Sequence, residues 1–518
     1  MATKPPRENV ASTGEPGEVL ATTQLQVRAL GLTGALMQNI TAIAPAITAF
    51  FFTATIVGFT GAISPFAYFL GFLVVLALGM CLVQLAKLFP SAGGYFTYVS
   101  RTLGPRAGFL TGWAYTLYSP IIAGPILAFF GYILQGELQA NYGINVPWWV
   151  FALVAIPVIA VLGFYGIKLS VRAIVILGGL EFLIVLALGL SGLISPGPGG
   201  FTVRVFDPGF NPGHLATATG FALAIVFSVQ GLTGWESAVP LAEETASPRR
   251  NVPIATMASI VITGLMTVIV IWGQVIGWGW LNIGKLPASA ELPALVIAHR
   301  VWGAVWSIAL FAMFTSVMAA SLATQNVATR MWYGMARTGV LPRVVARVDP
   351  KRKTPTVAVL LQFLLSMGLA FIGGGLLGPA TFFILMVGFC LVLAVIFVYS
   401  MGNIGVVVHY WLHRRREFNW VLHFIFPVGT TAILIYSLVK SFSPPCSPAH
   451  GERTSTRRGR SSARTRRRSI SRKSRYACAA PSRHTAAPGT RFSSDASRRT
   501  MPMPRSCGGT ERSGTSRR

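Results

Sequence analysis

The stretch Gln230-Gly-Leu-Thr-Gly-Trp-Glu236 interrupts an apolar run between residues 216 and 240. Its two glycines allow the backbone to leave helical geometry, and its glutamate is costly to place in hydrocarbon without a partner. The run has the length of about 20 mainly apolar residues that a helix needs to cross a membrane. The stretch therefore predicts a membrane-spanning helix that breaks near its middle.

Ten further apolar runs flank this one, and together they predict an all-α, polytopic membrane protein. The eleven spans are expected near residues 34–57, 65–88, 108–134, 147–165, 173–194, 216–240, 254–280, 303–328, 355–373, 380–408 and 420–441. Of the 518 residues 53% are hydrophobic and only 11% are charged. This composition excludes a soluble domain around a single core, so the bilayer is the expected solvent.

The basic residues predict the orientation of the chain. Of the 24 Lys and Arg residues before residue 442, 20 fall on one set of alternating segments, whereas Arg204, Lys285 and Arg300 fall on the opposite set. Lys and Arg are retained on the cytoplasmic side during insertion. We therefore expect a cytoplasmic N-terminal tail over residues 1–30, a transmembrane domain over residues 31–441, and residence in the cell (inner) membrane.

The composition changes abruptly after residue 441. Residues 443–518 carry 19 basic residues against three acidic ones and offer nothing that could bury a core, so 442–518 is expected to be a basic disordered tail. Eleven spans from a cytoplasmic start place this tail outside, against the charge pattern. We interpret it as an out-of-frame translation of a G+C-rich gene that replaces the last span; the alternative is a genuine solvated extension.

Three stretches carry a resemblance to a known family. They are Pro90-Ser-Ala-Gly-Gly-Tyr95 before the third span, residues 227–255 at the sixth span and its exit, and residues 326–342 at the end of the eighth. In this order they resemble the family of amino acid, polyamine and organocation permeases over about residues 31–441. The resemblance implies the leucine-transporter fold, with two inverted repeats of five spans, helices one and six broken at mid-membrane, and twelve spans in all.

A transported amino acid needs partners for its carboxylate and its ammonium group. The free amides and carbonyls at the ends of broken helices supply them without side-chain charge. Pro45 predicts the break in the first span, although the family's glycine-rich signature is absent there. The candidate substrate-binding residues are Thr41, Ala44 and Pro45 in the first span and Gln230, Gly231, Gly234 and Trp235 in the sixth.

Two acids are candidates for proton coupling or gating. Counted from Gly166, Glu181 falls where proton-coupled members of the resembled family carry a lysine in the fifth span. Burial favours the neutral carboxyl, so Glu181 could exchange a proton near neutral pH; a permanently protonated or hydrogen-bonded structural acid is the alternative. Glu236 with Gly234 matches the family's Gly-x-Glu at the helix break, against the alternative of a simple kink.

The leading hypothesis is a secondary active transporter of amino acids that works by alternating access, with proton symport preferred to exchange. An amino acid exchanger, a polyamine or amine permease, a transport-deficient permease-like sensor, and a tether that binds nucleic acid or lipid through the basic tail are the alternatives. An enzyme is not expected, because the sequence contains no nucleophile–base set and no phosphate loop. The expected partners are an amino acid, a proton and membrane lipid, with no nucleic acid, no cofactor and no metal site; the oligomeric state stays open.

Overall fold

The computed structural model of the protein describes residues 24–288 and 292–442, and most of these residues are helical. The α-helices are α1 (Leu32–Ile43), α2 (Pro45–Ile47), α3 (Thr53–Thr60), α4 (Ser64–Leu88), α5 (Gly94–Leu103), α6 (Pro105–Tyr118), α7 (Ala123–Tyr142), α8 (Trp148–Phe164), α9 (Ile167–Ile194), α10 (Ala218–Gly231), α11 (Pro248–Trp278), α12 (Pro293–Trp302), α13 (Ser307–Arg337), α14 (Thr356–Gly368), α15 (Gly374–Leu377), α16 (Pro379–Leu385), α17 (Val392–His413) and α18 (Phe426–Phe442). The predicted all-α class is confirmed for these residues. Residues 1–23 of the predicted N-terminal tail and 443–518 of the predicted basic tail lie outside them.

Eight helical runs in the described ranges are long and apolar enough to cross a membrane. They are Leu32–Leu88, Pro105–Tyr142, Ile167–Ile194, Pro248–Trp278, Ser307–Arg337, Thr356–Leu377, Pro379–His413 and Val421–Lys440. Three shorter apolar helices, Trp148–Phe164, Ala218–Gly231 and Pro293–Val305, accompany them. The protein is therefore a multi-pass membrane protein, and helical segments occupy each of the predicted spans.

The first span breaks between α1 and α2. Pro45 has no N–H to donate to the carbonyl of Thr41, and the N–H of Ala44 donates to that carbonyl instead, at 3.1 Å. Ala44 takes a left-handed conformation with φ 55°, which costs an alanine about 1–2 kcal/mol. The chain then continues through a π-helical turn, Thr48–Phe52, into α3.

The second break follows α10. The helix ends at Gly231, the chain turns through residues 232–238, and a 3-10 helix, Val239–Glu244, follows. Gly234 lies in the turn with φ 113°, and a Cβ built there would stand 2.6 Å from the carbonyl of Ala42. Only glycine fits at this point, because both the backbone conformation and the approach of the first break exclude a side chain.

Hydrogen bonds join the two broken spans on either side of their breaks. The hydroxyl of Thr48 donates to the carbonyl of Gly231 at 2.7 Å. The N–H of Ala238 donates to Oδ1 of Asn39 at 2.6 Å. The segment after one break is thus tied to the segment before the other.

Helices α9, α11 and α13 surround the broken pair. Every residue from 315 to 336 of α13 is buried, so this helix runs through the middle of the described domain. Helices α9 and α11 approach closely at Gly189 and Gly273, where a Cβ on Gly273 would lie 1.8 Å from the carbonyl of Gly189. Small residues at such a crossing allow van der Waals contact between backbones, which holds membrane helices together.

Candidate functional site

A central cavity of about 80 Å³ lies where the two breaks meet. Its wall combines both broken spans with α6, α7, α13 and α16 and the turns next to them. The lining residues are Ala42, Ile43, Ala44, Ile47, Phe52, Tyr118, Ser119, Ile122, Ile126, Gln230, Thr233, Gly234, Ser237, Ala320, Ser321, Thr324, Phe383, Val387 and Leu391. Unpaired backbone groups are a property of helix ends, so broken helices make the cavity suited to a small zwitterion.

The predicted substrate-binding residues divide into two groups. Ala44, Gln230 and Gly234 line the central cavity, whereas the remaining four stand behind its wall. Those four are Thr41, Pro45, Gly231 and Trp235. The structure therefore brings all seven to the two breaks but presents only three of them to a ligand in the cavity.

Residues behind the wall position the breaks. The hydroxyl of Thr41 donates to the carbonyl of Met37 at 2.7 Å, and its methyl group packs on Gly178 of α9. Pro45 is buried at the start of α2. The ring of Trp235 is fully buried and lies 5.4 Å from that of Tyr399.

Glu181 is buried on α9 beside the first break. Its Oε1 accepts a hydrogen bond from the N–H of Ala46 at 2.8 Å and one from the hydroxyl of Ser316 at 2.6 Å. Its Oε2 has no partner among the described residues. Glu181 thus connects α9 to the N-terminal end of α2 and to α13, and Ser316 is a contact that the sequence analysis did not identify.

Glu236 lies in the second break, fully buried. The hydroxyl of Tyr118 donates to its Oε1 at 2.5 Å, and the hydroxyl of Tyr399 donates to its Oε2 at 3.1 Å. Tyr118 also lines the central cavity, so a ligand there is one side chain away from the carboxyl group. Neither tyrosine is among the residues predicted from the sequence, because each is more than 100 residues away from Glu236 along the chain.

Among the buried side-chain atoms without a hydrogen-bond partner in the described part of the protein, two belong to residues that line the cavity. They are Oε1 of Gln230 and Oγ of Ser321, and both side chains are more than nine-tenths buried. The amide of Gln230 donates to the carbonyl of Val387, which fixes the side chain and leaves its oxygen as a free acceptor. Ser321 lies on α13, outside the predicted set.

Three phenylalanines form an aromatic stack at one end of the cavity. Phe383 lines the cavity and stacks on Phe129 with ring centroids 4.3 Å apart and planes 5° from parallel. Phe51 meets both rings edge-on, at 5.4 and 5.8 Å. Phe129 also lines a second, open cavity of about 800 Å³ between α7 and α12, so the aromatic stack separates the two cavities.

An ion-pair cluster lies at the C-terminal end of α13. Arg330 binds Glu244 at 2.8 Å, with side chains only 1% and 0% exposed. Arg337 binds Glu243 at 2.6 Å, with side chains 42% and 26% exposed. The same carboxyl group of Glu243 accepts from the N–H of Ala92, which ties the loop before α5 to the exit of the sixth span.

The chain is similar to known transport proteins over most of its length. The family model described as amino acid permease matches residues 26–456. The low-affinity putrescine importer PlaP of Escherichia coli is 22% identical over 377 residues, which cover 71% of this chain and 78% of that protein. The uncharacterized amino acid permease YecA of Bacillus subtilis is 29% identical over 60% of this chain and 68% of that protein. The aspartate-proton symporter of the same organism is 23% identical over 58% of this chain and 59% of that protein.

Proposed function

Because the chain belongs to the amino acid permease family, we propose that it is a secondary active transporter that moves amino acids across the cell membrane by alternating access. The central cavity at the meeting point of the two breaks is the observation that carries this proposal. Family members are transporters and not enzymes, and their substrates include amino acids and amines. The cavity has the position at which transporters with broken helices bind their substrates.

We assign the α-carboxylate and α-ammonium groups of the substrate to the broken helix ends. Ala44 and Gly234 expose backbone at the two breaks without a bulky side chain, and both line the cavity. Positive and negative ends of helix dipoles favour opposite ligand charges, so the two breaks together suit a zwitterion. This arrangement agrees with the leucine-transporter fold of inverted repeats, which we propose for the domain together with a cytoplasmic N-terminus.

Proton coupling through Glu181 is the favoured mode of energy input. An ionised Glu181 can accept from both Ala46 and Ser316, whereas a protonated one also carries a donor for which Oε2 has no acceptor in the described residues. Protonation of Oε2 would keep both bonds to Oε1 but weaken them, because a neutral carboxyl oxygen is a poorer acceptor than a carboxylate oxygen. Glu236 is the second candidate, since its contact with Tyr118 connects it to the cavity wall.

The closures at the two ends fit alternating access. The aromatic stack would open toward the second cavity. The ion-pair cluster would open toward the side that carries most of the Lys and Arg residues, which we propose is the cytoplasmic side. In this mechanism substrate binding and proton binding decide which of the two closures is released. An amine permease is the second candidate function, because the putrescine importer matches over more than two thirds of both chains.

Uptake of labelled amino acids into proteoliposomes tests the proposal. The purified full chain is compared with Glu181→Gln, with and without an inward proton gradient. Glu417→Gln is the matched control, because Glu417 is exposed and pairs with Arg414 far from the cavity. We expect gradient-stimulated uptake in the wild type and in Glu417→Gln, and its loss in Glu181→Gln.

Other outcomes separate the alternatives. Uptake that ignores both the gradient and Glu181→Gln would indicate exchange or facilitation instead of proton symport. Accumulation of putrescine but of no amino acid would favour the amine permease. Ligand binding without any accumulation would identify a permease-like sensor.

A further inference from the structure

We propose that the central cavity selects amino acids with a short, uncharged side chain, either apolar or with one hydrogen-bonding group, and rejects acidic, basic and diamine substrates. The inference rests on the proposed function and adds the substrate class. It stands on three features of the wall: the absence of charge among its lining residues, two buried side-chain atoms without a hydrogen-bond partner, and a group of apolar lining residues.

The lining residues given above are all uncharged. A charged side chain on a substrate would therefore enter a buried space without a counter-ion, which is strongly unfavourable. The nearest arginine along α13 is Arg330, six residues beyond Thr324 and about 9 Å along the helix axis. It is already paired with Glu244, so it is not available to an acidic substrate.

The two buried acids near the breaks do not change this conclusion. Glu236 accepts from two tyrosine hydroxyls, and neither it nor Glu181 lines the cavity. A diamine carries two ammonium groups and no carboxylate. Its net charge of two would meet only the partial charges of helix ends and of neutral side chains, whereas a neutral amino acid brings one charge of each sign.

The unpaired atoms of Gln230 and Ser321 add two polar contacts to those of the other hydroxyl groups in the wall, which belong to Tyr118, Ser119, Thr233, Ser237 and Thr324. A buried acceptor without a donor is unfavourable in the empty cavity, so a ligand that donates to it gains that contact. Oε1 of Gln230 is held in place by the bond from its amide to the carbonyl of Val387. It suits an ammonium or hydroxyl donor, while the hydroxyl of Ser321 can either donate or accept.

The remaining wall favours a short apolar group. Ile122, Ile126, Phe383 and Leu391 line the side formed by α7, α16 and their neighbouring turns. A cavity of about 80 Å³ has room for about five to eight water-sized atoms at roughly 10–15 Å³ each, so a whole amino acid that fits it has a short side chain. Side chains such as those of alanine, serine, threonine and valine fit this description.

Binding to the purified full chain in detergent tests the inference apart from transport. Labelled alanine is displaced by serine, threonine, valine, aspartate, lysine or putrescine. We expect the three neutral competitors to displace the label at concentrations at least about tenfold lower than the charged ones. Equal or stronger displacement by aspartate, lysine or putrescine would overturn the inference and leave the proposed transport function standing.

Transport and binding fail in distinguishable ways. Selective binding of neutral amino acids without accumulation in proteoliposomes would refute the proposed transport and retain the substrate class. No binding of any compound in the panel would refute the substrate class, and the proteoliposome assay would then decide the proposed transport separately.

Variants of Ser321 test the role of charge. Ser321→Asp places a carboxylate in the wall, and Ser321→Asn is its matched neutral control of nearly equal size. We expect lysine and putrescine to bind at least about tenfold better to Ser321→Asp than to Ser321→Asn, because only the first supplies a counter-ion. Equal binding of these cations to both variants would show that the charge of the wall does not set the selectivity.

Gln230→Leu tests the unpaired acceptor. We expect the affinity for serine and threonine to fall about five- to tenfold, and that for valine to fall less, because valine has no side-chain donor to lose. A uniform loss for all three would show that Gln230 serves the structure of the break and not the recognition of the side chain.

Discussion

The aromatic stack and the ion-pair cluster, which we propose as the closures of the two ends of the central cavity, are built from opposite chemistry. The aromatic stack joins Phe51, Phe129 and Phe383 through ring contacts alone. The ion-pair cluster joins Arg330 and Arg337 to Glu244 and Glu243, and one of its pairs is fully buried. The first closure can open in small steps as rings slide apart, whereas the second must separate a charge from its partner.

This difference predicts that the ion-pair cluster and the aromatic stack respond unequally to the loss of one side chain. An aromatic pair contributes about 0.5–1.5 kcal/mol beyond the area it buries. Removing one partner of a buried ion pair costs about 3–5 kcal/mol, because the remaining charge has no compensation. Loss of one side chain should therefore destabilise the ion-pair cluster more than the aromatic stack. Three substitutions test this difference, in decreasing order of expected effect.

Arg330→Met should produce the largest loss. It leaves the buried carboxyl group of Glu244 without a partner, so the free energy of unfolding should fall by about 3–5 kcal/mol. Heating the detergent-solubilised protein and measuring the folded fraction by size exclusion checks this. Adding Glu244→Leu to the same chain removes the uncompensated charge and should recover most of the loss. A single variant as stable as the wild type would contradict the comparison.

Phe129→Leu should have an intermediate effect. Leucine keeps the site apolar but removes the stacking on Phe383, so opening should become easier by about 0.5–1.5 kcal/mol. A cysteine placed at Ser119, in a chain whose native cysteines are replaced by serine, reports this as roughly two- to tenfold faster modification by a membrane-impermeant thiol reagent. Phe109→Leu, an exposed site on α6, is the control. No change in rate would mean that the aromatic stack is not a barrier.

Arg337→Gln should have the smallest effect. Its pair with Glu243 is partly exposed, and such pairs contribute about 0–1 kcal/mol, with less at high salt. The heating assay should place this variant close to the wild type at 0.15 M salt and nearer still at about 1 M. A loss as large as that of Arg330→Met would show that exposure does not separate the two pairs.

The helical spans and the two breaks follow from local features of the sequence. Long apolar runs place the spans, Pro45 removes a donor at the first break, and Gly231 and Gly234 weaken the second. These features act within a few residues, so the sequence alone predicts them. The predicted eighth span, 303–328, ends nine residues before α13 does. A charged residue such as Arg330 is not expected inside a buried helix until its buried partner Glu244 is known.

The wall of the site is the part that local features do not reveal. Ser316, Tyr118 and Tyr399 reach the two glutamates from other helices. Each of these helices is apolar on most sides, so periodicity does not show which face meets the cavity. The sequence predicts that the seven substrate-binding residues lie near a break. Which of them line the cavity depends on how the helices pack.

The bonds between the two broken spans have a mechanical consequence. Asn39 ties the first half of the first span to the second half of the sixth, and Thr48 ties the second half of the first span to the end of the first half of the sixth. Each of these two bonds joins one half of the first span to one half of the sixth. The two joined pairs meet at Ala44 and Gly234, which line the central cavity. If the joined pairs rotate about this junction, as the proposed alternating access requires, a molecule bound there changes position little while its surroundings move.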